Sequence, residues 1–239
     1  MSNRLASMLD FSRFQLLTFD CYGTLIDWES GIFSALRPIL FAHGVTISDA
    51  VLLELYGELE AEAEGGEYST YRNVLESVVR NLGERLGFEA SNAEARALPE
   101  SVAGWLAFTD TVESLRRLKP RYKLAVISNI DDDLFASTAP KLGIVFDEII
   151  TAQQAGCYKP CKQLFELAQQ RCRVPVDEWL HIGQSIYHDV IPAQDLGIST
   201  VWVNRPSARA GIGAVKPAQG KPDLEVPNLT TLADIALHL

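Results

Sequence analysis

The chain has 239 residues, 47% hydrophobic and 22% charged, a balance that suits a globular protein and leaves little room for extended disorder. Its formal net charge of -10 leaves no basic stripe to neutralise a phosphate backbone, so nucleic acid is not an expected partner, and an anionic substrate has to be attracted by local positive groups. Nothing approaches the ~20 apolar residues of a membrane span, and the N-terminus MSNRLASMLDF lacks an apolar stretch of signal-peptide length, so no membrane partner and a cytoplasmic location are expected.

In chain order, Phe14 to Phe19 is a short apolar, β-compatible run that stops at Asp20-Cys21-Tyr22-Gly23-Thr24, the pattern of a buried strand followed by a turn. From Trp28 to Trp105 the pattern is nearly continuous helix, with apolar residues at helical spacing in Ile32-Phe33-Leu36-Ile39-Leu40 and in Tyr71-Val74-Leu75-Val78-Val79-Leu82. We read 28–105 as a helical cap inserted into an α/β core made of 1–27 and 106–239, a device for closing water out of a site. Within it Glu58 to Glu67, with five Glu and two Gly, reads as a solvated helix face.

Beyond the cap, the strand-like segments Lys123 to Ile127, Glu148 to Thr151, Trp179 to Ile182 and Thr200 to Val203 alternate with helical patterns over Thr111 to Leu118, Asp132 to Leu142, Lys162 to Cys172 and Val190 to Leu196. Ser207 to Pro222 reads as a surface loop before a last helix from Leu229 to Leu237. This alternation predicts right-handed βαβ units and a doubly wound parallel sheet. In such a sheet reactive groups gather at the carboxyl ends of the strands.

Those ends carry Asp20 and Thr24, then Ser128 and Asn129, then Tyr158-Lys159-Pro160, then Gly183-Gln184-Ser185-Ile186-Tyr187-His188-Asp189. Each group alone reads as a turn or a helix cap. Together they place two carboxylates, a lysine and a hydroxyl-amide pair on one sheet edge. The cysteines Cys21, Cys157, Cys161 and Cys172 are too few and too irregular for a disulfide framework or a zinc site, and we read them as reduced thiols.

With Phe19-Asp20-Cys21-Tyr22-Gly23-Thr24-Leu25, Ile127-Ser128-Asn129, Tyr158-Lys159-Pro160, Asp189 ahead of Ala193 and Gly197, and Val203-Asn204-Arg205 in that order, the chain resembles the haloacid dehalogenase superfamily. Within it, the chain resembles the two-domain L-2-haloacid dehalogenases. The resemblance implies a Rossmann-like core in which Asp20 is a nucleophile that forms a covalent ester later opened by water. It implies that Lys159 stabilises charge on Asp20 and on a substrate carboxylate, that Thr24 hydrogen-bonds the nucleophile, and that Asp189 holds Lys159 and helps position the water. Ser128 and Asn129 are expected to donate to the substrate's anionic group, with Cys21, Tyr22, Gln184, Ser185 and His188 around it. His188 reads equally as a packing residue. In the cap, Arg72 is either part of a wall with Tyr68 and Tyr71 or a surface residue.

The superfamily's phosphatases resemble this chain but carry two more carboxylates, at the positions of Tyr22 and Gln184 here. Magnesium usually needs at least one or two carboxylates besides the substrate, so no metal and no cofactor are expected. A departing halide, unlike an alkoxide, needs no general acid. The resemblance thus implies a metal-independent hydrolase of a small 2-substituted carboxylic acid, a 2-haloacid dehalogenase first of all, whose partner is that small carboxylate. A homodimer is compatible with the sequence and not required by it. Two departures bear on the leaving group. Tyr56-Gly57-Glu58-Leu59-Glu60 stands where the dehalogenases place a halide-binding arginine, and the Gln-Ser-x-Tyr-His-Asp segment resembles a branch with haloacetate-type dehalogenases and an azetidine-2-carboxylate hydrolase. A ring-opening hydrolase and a magnesium-dependent phosphatase are the alternatives.

Overall fold

The computed structural model describes residues 9–205 and 213–238; the first eight residues of the N-terminal segment and part of the loop expected over Ser207 to Pro222 lie outside them. Six parallel strands form one sheet in the order β3-β2-β1-β4-β5-β6: β1 Leu16–Phe19, β2 Lys123–Ser128, β3 Glu148–Thr151, β4 Trp179–Gly183, β5 Ser199–Val203 and β6 Leu224–Val226. The central strand β1 pairs with β2 on one side and β4 on the other, and all four of its residues are buried. That double burial explains why it reads as a mostly apolar run instead of an alternating one, its one hydroxyl, on Thr18, being paired with Trp179 and His181.

Four helices run between β1 and β2: α1 Trp28–Ala42, α2 Asp49–Glu64, α3 Tyr71–Leu86 and α4 Asn92–Ser101. The apolar stripe of α3, from Tyr71 through Val74, Leu75, Val78 and Val79 to Leu82, is buried, and Gly87 ends the helix in the left-handed conformation at φ +84°. A capping box between Ser91 and Glu94 starts α4. This helical layer is the inserted cap of an α/β fold.

The remaining helices are α5 Thr111–Leu118, α6 Asp132–Thr138, α7 Ala152–Ala155, α8 Gln163–Cys172, α9 Ile191–Gln194 and α10 Leu229–His238. The helix expected to run from Asp132 to Leu142 tightens into a 3-10 turn over Ala139–Leu142, where Pro140 lacks the N–H an α-helix needs. The one expected from Val190 to Leu196 begins earlier, as a π-helical turn over Ile186–Val190, and its α-helical part ends at Gln194. The edge strand β6 has no counterpart in the sequence expectations. Among the described residues no helix is long and apolar enough to cross a membrane.

Candidate active site

β1, β2 and β4 lie side by side, with Phe19 opposite both Val126 and Ile182, so the residues after them emerge at one sheet edge. Asp20 leaves β1 with its N–H bonded to the Ile182 carbonyl at 2.9 Å. Gly23, at φ +93°, turns the chain back so that the Thr24 hydroxyl donates to Asp20 Oδ2 at 2.7 Å. Arg205 donates to the Thr24 carbonyl at 2.8 Å and to Asp110 at 3.1 Å, which fixes the far side of this loop.

Lys159 is 2% exposed, and its ammonium donates to Asp20 Oδ1 at 2.9 Å, Asp189 Oδ1 at 2.6 Å and the Ile127 carbonyl at 3.0 Å. All three protons are therefore committed. Asp189 also takes the Ser185 N–H on its second oxygen at 3.1 Å and lies 3.3 Å from His181 Nε2. The chain can bring it there because Gly183 has no side chain: a Cβ at that position would collide with the Asp189 carboxyl.

Burial raises the Asp20 carboxyl above the ordinary aspartate value, with the charge of Asp189 acting in the same sense and Lys159 and Thr24 opposing. For Lys159 burial acts downward, but Asp189 and Asp20 outweigh it and the ammonium titrates well above the usual lysine range. Asp189 is held well below the carboxylate range, burial being overcome by Lys159 and His181. Burial drives His188 down to about 4, so its imidazole is neutral near pH 7. The arrangement is a poorly solvated carboxylate locked in one orientation beside a permanent cation.

A cavity of about 50 Å³ opens onto Asp20 and is lined on the core side by Tyr22, Ser128, Asn129, Lys159 and Asp189. Gln184, Ser185 and His188 join them, as do Trp28, Glu60, Glu64 and Tyr71 from the helical cap. Its size limits the occupant to a small molecule.

A family model described as a hydrolase, haloacid dehalogenase-like hydrolase, matches residues 14–197. The chain belongs to the haloacid dehalogenase-like hydrolases. An (S)-2-haloacid dehalogenase of Pseudomonas fluorescens is 24% identical over 219 residues, which cover 90% of this chain and 93% of that protein. A glyceraldehyde 3-phosphate phosphatase of Methanothermobacter thermautotrophicus is 28% identical over 193 residues, 78% of this chain and 84% of that one. Among solved structures, the L-2-haloacid dehalogenase of Xanthobacter autotrophicus superposes with a TM-score of 0.77 at 21% identity, covering 93% of this chain and 98% of its own. The magnesium-bound YfnB hydrolase of Bacillus subtilis also reaches 0.77, at 20% identity, covering 94% and 99%. At these identities the structural likeness fixes the haloacid dehalogenase-like fold and leaves the reaction to the residues.

Of the positions expected to form the site of this hydrolase, Asp20, Thr24, Lys159, Asp189, Tyr22, Ser128, Asn129, Gln184, Ser185 and His188 converge on the cavity or on groups lining it. Cys21 and Arg72 do not line it. Cys21 is fully buried in the apolar core behind the loop, because the residue after Asp20 turns to the opposite side. Arg72 instead donates to Asp133 at 2.6 Å on the surface, while its backbone N–H and that of Tyr71 are both held by Asp131 at 2.9 Å. Asn129 faces the chain as much as the cavity, since its Oδ1 accepts the Lys159 N–H.

Two further expectations change. Cys157 and Cys161 are joined by a disulfide, because the chain folds back around Tyr158-Lys159-Pro160, so only Cys21 and Cys172 are free thiols. Glu58 to Glu67 is not uniformly solvated. Glu60 is 8% exposed and accepts the hydroxyls of Tyr56 and Tyr71, and Glu64, one turn on, meets the Asn129 amide at 3.4 Å. The available signal was the spacing of four between Glu60 and Glu64, which puts both on one helix face.

Proposed function

We propose that this protein is a metal-independent hydrolase that displaces the substituent at C2 of a small carboxylic acid through an ester on Asp20. The observation that carries this reading is the state of Asp20: buried, with one donor on each oxygen, Thr24 on Oδ2 and Lys159 on Oδ1. A carboxylate stripped of water is a stronger nucleophile toward saturated carbon. Whichever oxygen attacks, the other stays under a fixed donor. The negative charge that appears on it when water opens the ester is therefore matched in place.

Tyr22 and Gln184 stand in place of the two carboxylates that phosphoryl transfer with magnesium would use as general acid and as an anionic ligand. The Lys159 ammonium pairs with one oxygen of Asp20 and one of Asp189, so both charges are balanced by the chain itself. The names of the relatives make 2-haloacids the first substrates to assay.

The test is a single turnover in oxygen-18 water, followed by mass spectrometry of the peptide bearing Asp20. Label is expected in Asp20 after one turnover and in the product only on later ones. Direct labelling of product in the first turnover, or full activity in Asp20→Asn, removes the aspartyl mechanism.

A further inference from the structure

The water that opens an ester on Asp20 needs a group to take its proton, and Asp189 is poorly suited to be that group. Its Oδ1 receives the Lys159 ammonium at 2.6 Å and lies 3.3 Å from His181 Nε2, while Oδ2 receives the Ser185 N–H at 3.1 Å. In spite of its burial, Lys159 and His181 hold it well below the carboxylate range, so it is a very weak base. Glu60 and Glu64 reach the cavity from α2 rather than from the sheet edge, and burial shifts both toward the neutral acid.

His188 has what these groups lack. It lines the cavity with Asp20 and stands on the same sheet edge, in the π-helical turn Ile186–Val190 that follows β4. The Ser185 hydroxyl oxygen accepts the His188 backbone N–H at 3.0 Å and lies 3.2 Å from Nδ1 of its ring. The tautomer in which Nδ1–H donates to Ser185 leaves the lone pair on Nε2, which has no hydrogen-bond partner among the described residues. Tyr187 packs edge-on against the ring, with centroids 4.8 Å apart, and holds its plane.

We propose that His188 is the acid–base catalyst of the second half of the reaction, taking a proton from the water that opens the Asp20 ester and giving it to the departing product oxygen. The inference rests on an ester at Asp20 and adds the group that removes it.

The step balances with water alone. The water oxygen bonds to Asp20 Cγ, one of its protons passes to Nε2, and the carbonyl electron pair moves onto the oxygen that Thr24 or Lys159 covers. The bond from Cγ to the product oxygen then breaks, its electron pair stays with that oxygen, and the imidazolium protonates it. The second water proton leaves as Asp20 ionises again. Burial drives the imidazole down to about 4, with Lys159 and Lys216 acting in the same sense and Asp189 opposing. The ring is therefore free to accept near neutrality, and its imidazolium gives the proton up readily.

The experiment follows chloride release from 2-chloropropionate by stopped flow in the wild type, His188→Ala and His188→Gln, with mass spectrometry of the peptide bearing Asp20. Both variants are expected to release about one chloride per chain, at a rate within about threefold of the wild type's first turnover, and to accumulate the ester. Their kcat is then expected to be about a hundredfold or more below the wild type. A first-turnover rate that falls as far as kcat, or a kcat within about threefold of the wild type in both variants, overturns the assignment and leaves the ester standing. Chloride release with no ester on Asp20 in any of the three chains, or no release from any of them, overturns the Asp20 reading and this inference with it.

Discussion

The side-chain oxygen of Asn129 accepts the backbone N–H of Lys159 at 2.7 Å, and its amide donates back to the Lys159 carbonyl at 3.3 Å. The end of β2 is thereby tied to the segment that follows α7, and the starting point of the lysine side chain is set. Asn129→Ala removes both bonds without removing a group bonded to Asp20. We expect kcat to fall about tenfold or more with a smaller change in KM, and stability to fall by about 1–2 kcal/mol, measured by steady-state kinetics and urea titration.

Ser128→Ala should separate stability from function. Removing a buried hydroxyl that has no partner among the described residues is expected to raise the unfolding free energy by about 1 kcal/mol, while the loss of a donor to the substrate raises KM about tenfold. Thermal melts without ligand, paired with substrate titrations, check both signs. A fall in stability would mean that Ser128 is satisfied in the free protein.

Lys159 and Asp189 are a buried ion pair at 2.6 Å, and deleting one charge strands the other. Asp189→Asn is expected to cost about 3–5 kcal/mol of stability and nearly all activity, a loss read from the urea midpoint and from initial rates. A midpoint within error of the wild type would show that the pair contributes little net energy.

Stability should also depend on pH through Glu60. Its carboxyl is raised by burial from 4.5 to about 7, so its contribution to stability is complete below 4.5 and is lost as pH rises through about 7. Melting temperatures are expected to fall between about pH 4.5 and pH 7, and Glu60→Gln to flatten that part of the curve. Asp189, held low by Lys159 in spite of its burial, acts with the opposite sign and only in strong acid.

Chelation is expected to leave the rate of carbon displacement unchanged within about twofold, since Tyr22 and Gln184 stand in the cavity where the magnesium-dependent relatives carry carboxylates. Initial rates before and after exhaustive treatment with EDTA check this. A loss of activity restored by magnesium would return the phosphatase reading.

The core site was legible because a parallel sheet leaves few places for a polar residue after a short apolar run. Asp20, Ser128 and Asp189 had to reach the same edge once the strands were recognised. Glu60 and Glu64 were hidden, since a glutamate-rich helical run has the composition of a solvated face and only the packing of α2 beside α3 turns two of its acids inward. Cys157 and Cys161 pair because of a fold-back that their spacing does not specify. Leu224, Glu225 and Val226 form β6 at the sheet edge, too short a run, with a charge at its middle, to stand out as a strand. Arg72 had the right charge in the right helix, and Asp133 claims it.

Asp131 lies three residues beyond Ser128 and holds the first two N–H groups of α3 at 2.9 Å each. Any swing of the helical layer away from the sheet must release both and leave a carboxylate, 3% exposed in the closed form, to find water instead. If entry and exit go by such a swing, both bonds are broken and remade in each turnover. In that regime a viscogen in the assay slows turnover even when bond breaking is fast, and loosening the Asp131 latch speeds product escape at the expense of a dry interior.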